Sequence, residues 1–152
     1  AALDAHEPPV IIIDMGTATT ITVIGPNSRL LGGAILPGAA VSLEALSGAA
    51  SLLPRISLDA PKRAIGSGTV ECMKSGAVFG AACAIDGMIE RMEAELGGSA
   101  ALVATGGLAG RIIPYCRHDI EIDDYMLLRG LSLIWERNRR EKRREARQTP
   151  RA

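Results

Sequence analysis

Three short stretches carry residue types suited to phosphate and nucleotide chemistry: Asp14 to Thr20 (DMGTATT), Gly66 to Thr69 (GSGT) and Thr105 to Ala109 (TGGLA). In the first, Gly16 allows a tight turn and lets an anion approach its amide, while Thr17, Thr19 and Thr20 bring hydroxyls nearby. Asp14 adds a carboxylate at the same point. A carboxylate beside a phosphate is repelled by about 1 kcal/mol in water and more near a protein surface, so a cation between them would relieve the conflict. Turn amides could also satisfy Asp14, and Thr17 could bond within its own turn. The glycine-rich GSGT stretch stands before a helical pattern, where unpaired amides attract anions.

The surrounding elements must bring these stretches together. Val10 to Ile13 is a run of four apolar residues, three of them isoleucine, placed after Pro8-Pro9. It reads as a buried strand that delivers Asp14 at its end. Thr19 to Ile24 and Arg29 to Leu36, joined through Gly25-Pro26-Asn27-Ser28, complete an antiparallel three-stranded meander. After Pro37-Gly38, Ser42 predicts the N-cap of a short helix to about Ala50, with Leu43 and Leu46 inward. Residues 52–61 read as a loop or short extended segment.

Thr69 predicts the N-cap of the longest helix, Val70 to about Leu96, and Gly97-Gly98 its stop. Met73, Ala77, Gly80, Ala81, Ala84 and Met88 recur along it at threes and fours, a flank on which its own sheet or a second subunit could pack closely. Glu71 complements the helix dipole. Cys72 and Cys83 share a helical face but lack a third ligand, so both are assigned to the core rather than to a metal. Ala101 to Ala104 predicts another buried strand, Ala109 to Tyr115 a helix, and Ile120 to Ile122 a strand. Asp123 or Asp124 caps a final helix with Leu127, Leu128, Leu131, Ile134 and Trp135 at helical spacing.

The 152 residues suffice for one domain with its own core, and 47% are hydrophobic but only 3% aromatic, so that core must be built mainly from aliphatic residues and alanine. Net charge is zero but uneven: Arg139 to Ala152 holds seven basic and two acidic residues, leaving ten basic and fifteen acidic before it. Without stacking aromatics, the basic end reads as solvated rather than as a nucleic-acid interface. No apolar run approaches the roughly 20 residues of a membrane span, and the start lacks an export pattern. Three cysteines form no paired framework, which points to a reducing, cytoplasmic setting. His6 and His118 are each followed by an acidic residue, Glu7 and Asp119, but neither is read as part of a proton relay.

The ordered blocks DMGTATT, LGGAILPG, SLEAL, LPRISL, IGSGTVECMKSGAVFG, IDGMIERMEAELG, ATGGLA and LRGLSLIWERN resemble type III pantothenate kinases, of the actin-like ATPase and sugar-kinase superfamily. The resemblance implies an α/β, ribonuclease H-like lobe whose mixed sheet begins with the antiparallel meander. It implies that Asp14 binds potassium or ammonium, that Gly16, Thr17, Gly106 and Gly107 contact ATP, accompanied by magnesium, and that Thr69 contacts pantothenate. It also implies a homodimer through helix 70–96, with no membrane and no nucleic acid as partners. The family's D-x-G-N-T loop and its G-x-D-R segment, which supplies the general-base Asp, do not occur here. The chain is therefore expected to be the C-terminal lobe over residues 1–138, followed by a basic tail over 139–152. The N-terminal lobe and catalytic base would lie upstream of Ala1, and this chain alone would be inactive. The competing expectation is a non-catalytic actin-like lobe acting as a binding or dimerisation module.

Overall fold

The computed structural model describes residues 1–148, with side chains described through Arg143. Val10–Met15 (β1), Ala18–Ile24 (β2) and Leu30–Pro37 (β3) form the antiparallel meander. Ala101–Thr105 (β4) joins β1 in parallel and Glu121–Ile122 (β5) joins β4 in parallel, giving the order β3-β2-β1-β4-β5. The isoleucine run takes the centre because it can be buried on both faces. Ile11, Ile13 and Met15 enter the main core, while Val10 and Ile12 belong to a smaller cluster on the other side.

The helices are Ala2–Ala5 (α1), Ala39–Ala49 (α2), Thr69–Leu96 (α3), Ala109–Ile112 (α4) and Met126–Gln148 (α5), with a 3-10 turn at Ile113–Tyr115 after α4. α3 buries Met73, Val78, Ala82, Ile85 and Ile89 in the core that holds Ile11, Ile13, Ile21 and Val23. It ends at Gly97, whose left-handed φ of 74° suits glycine, so the expected stop is observed. By length and composition α3 could cross a membrane, contrary to the sequence expectation, but its packing on the sheet is that of a core helix.

The direction of α3 matters for the site. Its first half, at Gly76, Ala77 and Gly80, lies beside Thr19, Leu36 and Pro37, whereas Met88, Met92 and Leu96 lie beside Val23, Gly32 and Gly33. Thr19 pairs with Met15 and Val23 with Ile11, so α3 starts where β1 finishes. The C-terminal ends of β1 and β4 therefore share one end of the molecule with the start of α3, the usual location of ligands in such sheets.

Several local expectations are corrected. The caps are Gly38 for α2 and Gly68 for α3, and neither Ser42 nor Thr69 caps through its side chain. Gly38 donates its amide to Thr17 O at 3.0 Å and its carbonyl accepts from Ser42 N, so α2 begins directly after Pro37-Gly38. Leu43 is buried, but Leu46 is exposed. Cys72 and Cys83 are exposed rather than in the core, because the helical period turns them to the flank of α3. α5 was expected to bury an apolar face, yet beyond Met126 its large apolar side chains are exposed. The helix continues to Gln148 through much of the basic stretch, supported by Arg137–Glu141 and Arg140–Glu136 pairs one turn apart. The tail's last four residues, 149–152, lie outside the described residues.

Candidate functional site

Asp14 is the next-to-last residue of the sheet's central strand, opposite Thr20 on one side and Thr105 on the other, with its side chain exposed. Immediately after Thr105 the chain turns at Gly106, with φ of 94°. A Cβ there would stand 2.6 Å from Met15 O and 2.7 Å from Asp14 Oδ1, so glycine is required both by the turn and by this close approach. Leu108 N then donates to Met15 O at 3.1 Å, which ties the turn to β1. Two stretches 90 residues apart in sequence, the DMGT turn and the TGG turn, are thus brought into contact.

The turn between β1 and β2 is closed by Gly16 N donating to Ala18 O at 2.9 Å. Gly38 packs on it so tightly that an added Cβ would collide with Gly16 O and Thr17 O. Thr17 therefore uses its carbonyl to hold the start of α2. Among the described residues its exposed hydroxyl makes no hydrogen bond, and Asp14 has no ion-pair partner. A lone carboxylate could hold a hard cation but lacks the nitrogen and sulfur donors that a transition metal favours. Among the described residues no cluster of three His, Cys, Asp or Glu side chains forms.

Thr69 opens α3 at the rim of a cavity of about 660 Å³. Ser42, Leu43 and Leu46 of α2 form one wall, and Gly66 to Thr69 with Cys72 and Met73 form the other. This cavity is mainly apolar, with Ser42 on one wall and Ser67 and Thr69 on the other. Asp14, Gly16, Thr17, Gly106 and Gly107 do not line it. They stand at the same end of the sheet, and the link runs through Gly38, which touches the Thr17 turn and starts the helix that walls the cavity.

Two features were missed in the sequence. Glu71 does more than complement the helix dipole: its Oε2 accepts from Ser67 N at 2.9 Å and Ser67 Oγ at 2.6 Å, bracing the GSGT loop. These bonds from the Ser67 hydroxyl and amide hold its carboxyl below the usual range. Glu71 stands three residues after the Gly68 cap, the position from which a side chain reaches back to the start of a helix, and this was the available signal. Asp86, 1% exposed inside α3, accepts from Arg117 N at 3.0 Å and bonds His118 Nδ1 at 2.8 Å. Burial alone would push the Asp86 carboxyl up, but bonds from the His118 ring and the Arg117 and His118 amides outweigh it and leave the pKa lowered. His118 is followed in sequence by Asp119, but its ring pairs in space with Asp86. Nearby, burial first and then the Asp86 charge and Cys83 push the Cys116 thiol up to about 12, so it stays protonated.

The five-stranded mixed sheet, its antiparallel start and the packed helices define an actin-like ATPase lobe. A Campylobacter jejuni protein whose crystal structure is titled as a Baf family transcriptional activator superposes with a TM-score of 0.65 at 26% identity, covering 91% of this chain and 62% of that one. The family pattern described as Type III pantothenate kinase matches residues 1–91. The type III pantothenate kinase of Moorella thermoacetica is 44% identical over 138 residues, covering 91% of this chain and 54% of the relative. That of an Anaeromyxobacter strain is 43% identical over 139 residues, covering 91% and 55%. The chain belongs to the type III pantothenate kinase family. It spans about half the length of the curated relatives it matches.

Proposed function

We propose that residues 1–138 act as the second lobe of a pantothenate kinase and that residues 139–152 form a solvated basic tail. In the complete enzyme the primary hydroxyl of pantothenate attacks the γ-phosphorus of ATP. The new O–P bond gives 4'-phosphopantothenate, ADP leaves, and the hydroxyl proton passes to a general base. That base and a first phosphate loop belong to the other lobe, so in-line transfer needs both walls of the cleft.

The observation that supports this reading most is the contact between Asp14 and Gly106 at the sheet end where α3 begins. There the Gly16 and Thr17 turn faces the phosphates, and Gly106 and Gly107 flank the nucleotide. Asp14 would hold potassium or ammonium, which supplies positive charge between carboxylate and phosphate, while magnesium accompanies ATP. Thr69, with a hydroxyl not used in capping, contacts pantothenate in the adjoining cavity, and the first amides of α3 face its carboxylate. The exposed Gly80 and Ala84 of α3 offer a close-packing flank for a homodimer. The setting is cytoplasmic.

The direct test is ATP-dependent phosphorylation of pantothenate. This chain alone should show none. Combined with a first lobe from a relative it should turn over in potassium chloride, and Asp14→Asn should remove the potassium dependence. Turnover by the isolated chain would contradict the assignment of the base. No turnover by a stable two-lobe complex would favour a non-catalytic binding module, the reading that the half-length span keeps in play.

A further inference from the structure

Beyond its first turn, α5 leaves its large apolar side chains exposed among the described residues. Met126 is buried with Ala2, Val10 and Val103, and Arg129 forms a forked pair with Asp123, so the base of the helix is fixed. Past it, Leu127, Leu128, Leu131, Ile134 and Trp135 form one continuous stripe at helical spacing, with Leu131 56% and Trp135 59% exposed. A stripe of large aliphatic residues ending in tryptophan has the character of a protein contact, not of a solvated face. It stops where Asn138 and the arginines begin.

Two observations name the occupant. The match to the Moorella thermoacetica relative accounts for 54% of that protein, so a segment of nearly equal length in the family has no counterpart here. In addition, Ala1 lies against α5: a Cβ placed on Gly130 would be 3.7 Å from the Ala1 Cβ. The sheet face beside α5 is also thinly covered, by α1 and Met126, leaving Ile12 and Ile24 only half-buried. We propose that the α5 stripe, with this sheet face, is the seat of the family's other lobe. This rests on the two-lobe reading above but not on its chemistry. α5 would then be a bridge carrying the second lobe's C-terminal end onto the first.

The test co-expresses the 152-residue chain with the part of the Moorella thermoacetica relative outside the matched region and follows amide hydrogen exchange over residues 127–135. The expected result is a purified complex in which exchange over this stretch slows at least about tenfold relative to the chain alone. The Leu131→Asp, Ile134→Asp double variant should lose the complex while its own melting temperature stays unchanged, because neither side chain is buried in the chain. Leu131→Ala with Ile134→Ala should weaken it to a lesser degree. A complex with unprotected 127–135, or no complex at all, would overturn the proposal. So would protection in the chain alone that rises with concentration, which indicates a second copy, or binding to vesicles of mixed phosphatidylcholine and phosphatidylserine. A protected complex that fails to phosphorylate pantothenate would refute the kinase reading and leave this inference standing. An active complex with an unprotected stripe would do the reverse.

Discussion

The two long helices read alike in sequence and behave differently in the fold. α3, with 28 residues, buries Val78, Ala82, Ile85 and Ile89 against the sheet and holds the buried Asp86. α5, with 23 residues, also carries apolar residues at helical spacing, yet Leu127, Leu128, Leu131, Ile134 and Trp135 face solvent. A hydrophobic period states that a face calls for cover. It does not state whether the cover lies in the same chain.

The contrast can be broken most forcefully at Asp86. Asp86→Ala should destabilise the fold by about 4 kcal/mol, because it strands the His118 ring and two amides around a former buried carboxylate. Chemical denaturation measures this, and a loss below about 1 kcal/mol would mean that α3 is not anchored there. The pH dependence follows from the lowered folded pKa of Asp86. Its contribution is present above the unfolded value near 3.9 and is lost as pH falls through the folded value, so stability should drop in acid below about pH 4. The Asp86→Ala chain should show a flatter acid limb.

Next in size, Ile89→Ala should cost about 3 kcal/mol through the cavity it leaves. Gly38→Ala, which forces a methyl group against the Gly16 and Thr17 carbonyls, should cost about 2 kcal/mol and disturb the turn at the candidate site. Leu131→Ala should change stability by less than about 0.5 kcal/mol. Equal losses for Ile89→Ala and Leu131→Ala would erase the difference between the two helices.

Much of this was legible beforehand, for identifiable reasons. The isoleucine run and the turn at Gly25 to Ser28 specify the meander, and Gly97 specifies the end of α3, because each is a local rule acting on adjacent residues. The contact of Asp14 with Gly106 is not local, and the family resemblance suggested it where spacing could not. The caps were misjudged because Ser42 and Thr69 are good capping types, while the close approach of Gly38 to the Thr17 turn starts α2 earlier and the Ser67–Glu71 brace leaves Gly68 at the start of α3. Asp86 and His118 could not be paired from sequence, since they stand 32 positions apart with no pattern that joins them. An acidic residue on the buried face of an apolar helix was the one available hint.

The central claim is that the DMGT and TGG turns form one wall of a nucleotide cleft. Amide chemical-shift mapping of the isotope-labelled chain, titrated with a non-hydrolysable ATP analogue and magnesium in potassium chloride, tests it most directly. Saturable shifts at Gly16, Thr17, Gly106 and Gly107, weakened when sodium replaces potassium or Asp14 becomes Asn, are the predicted result. No saturable shift at these amides, or shifts confined to the basic end of α5, would contradict it.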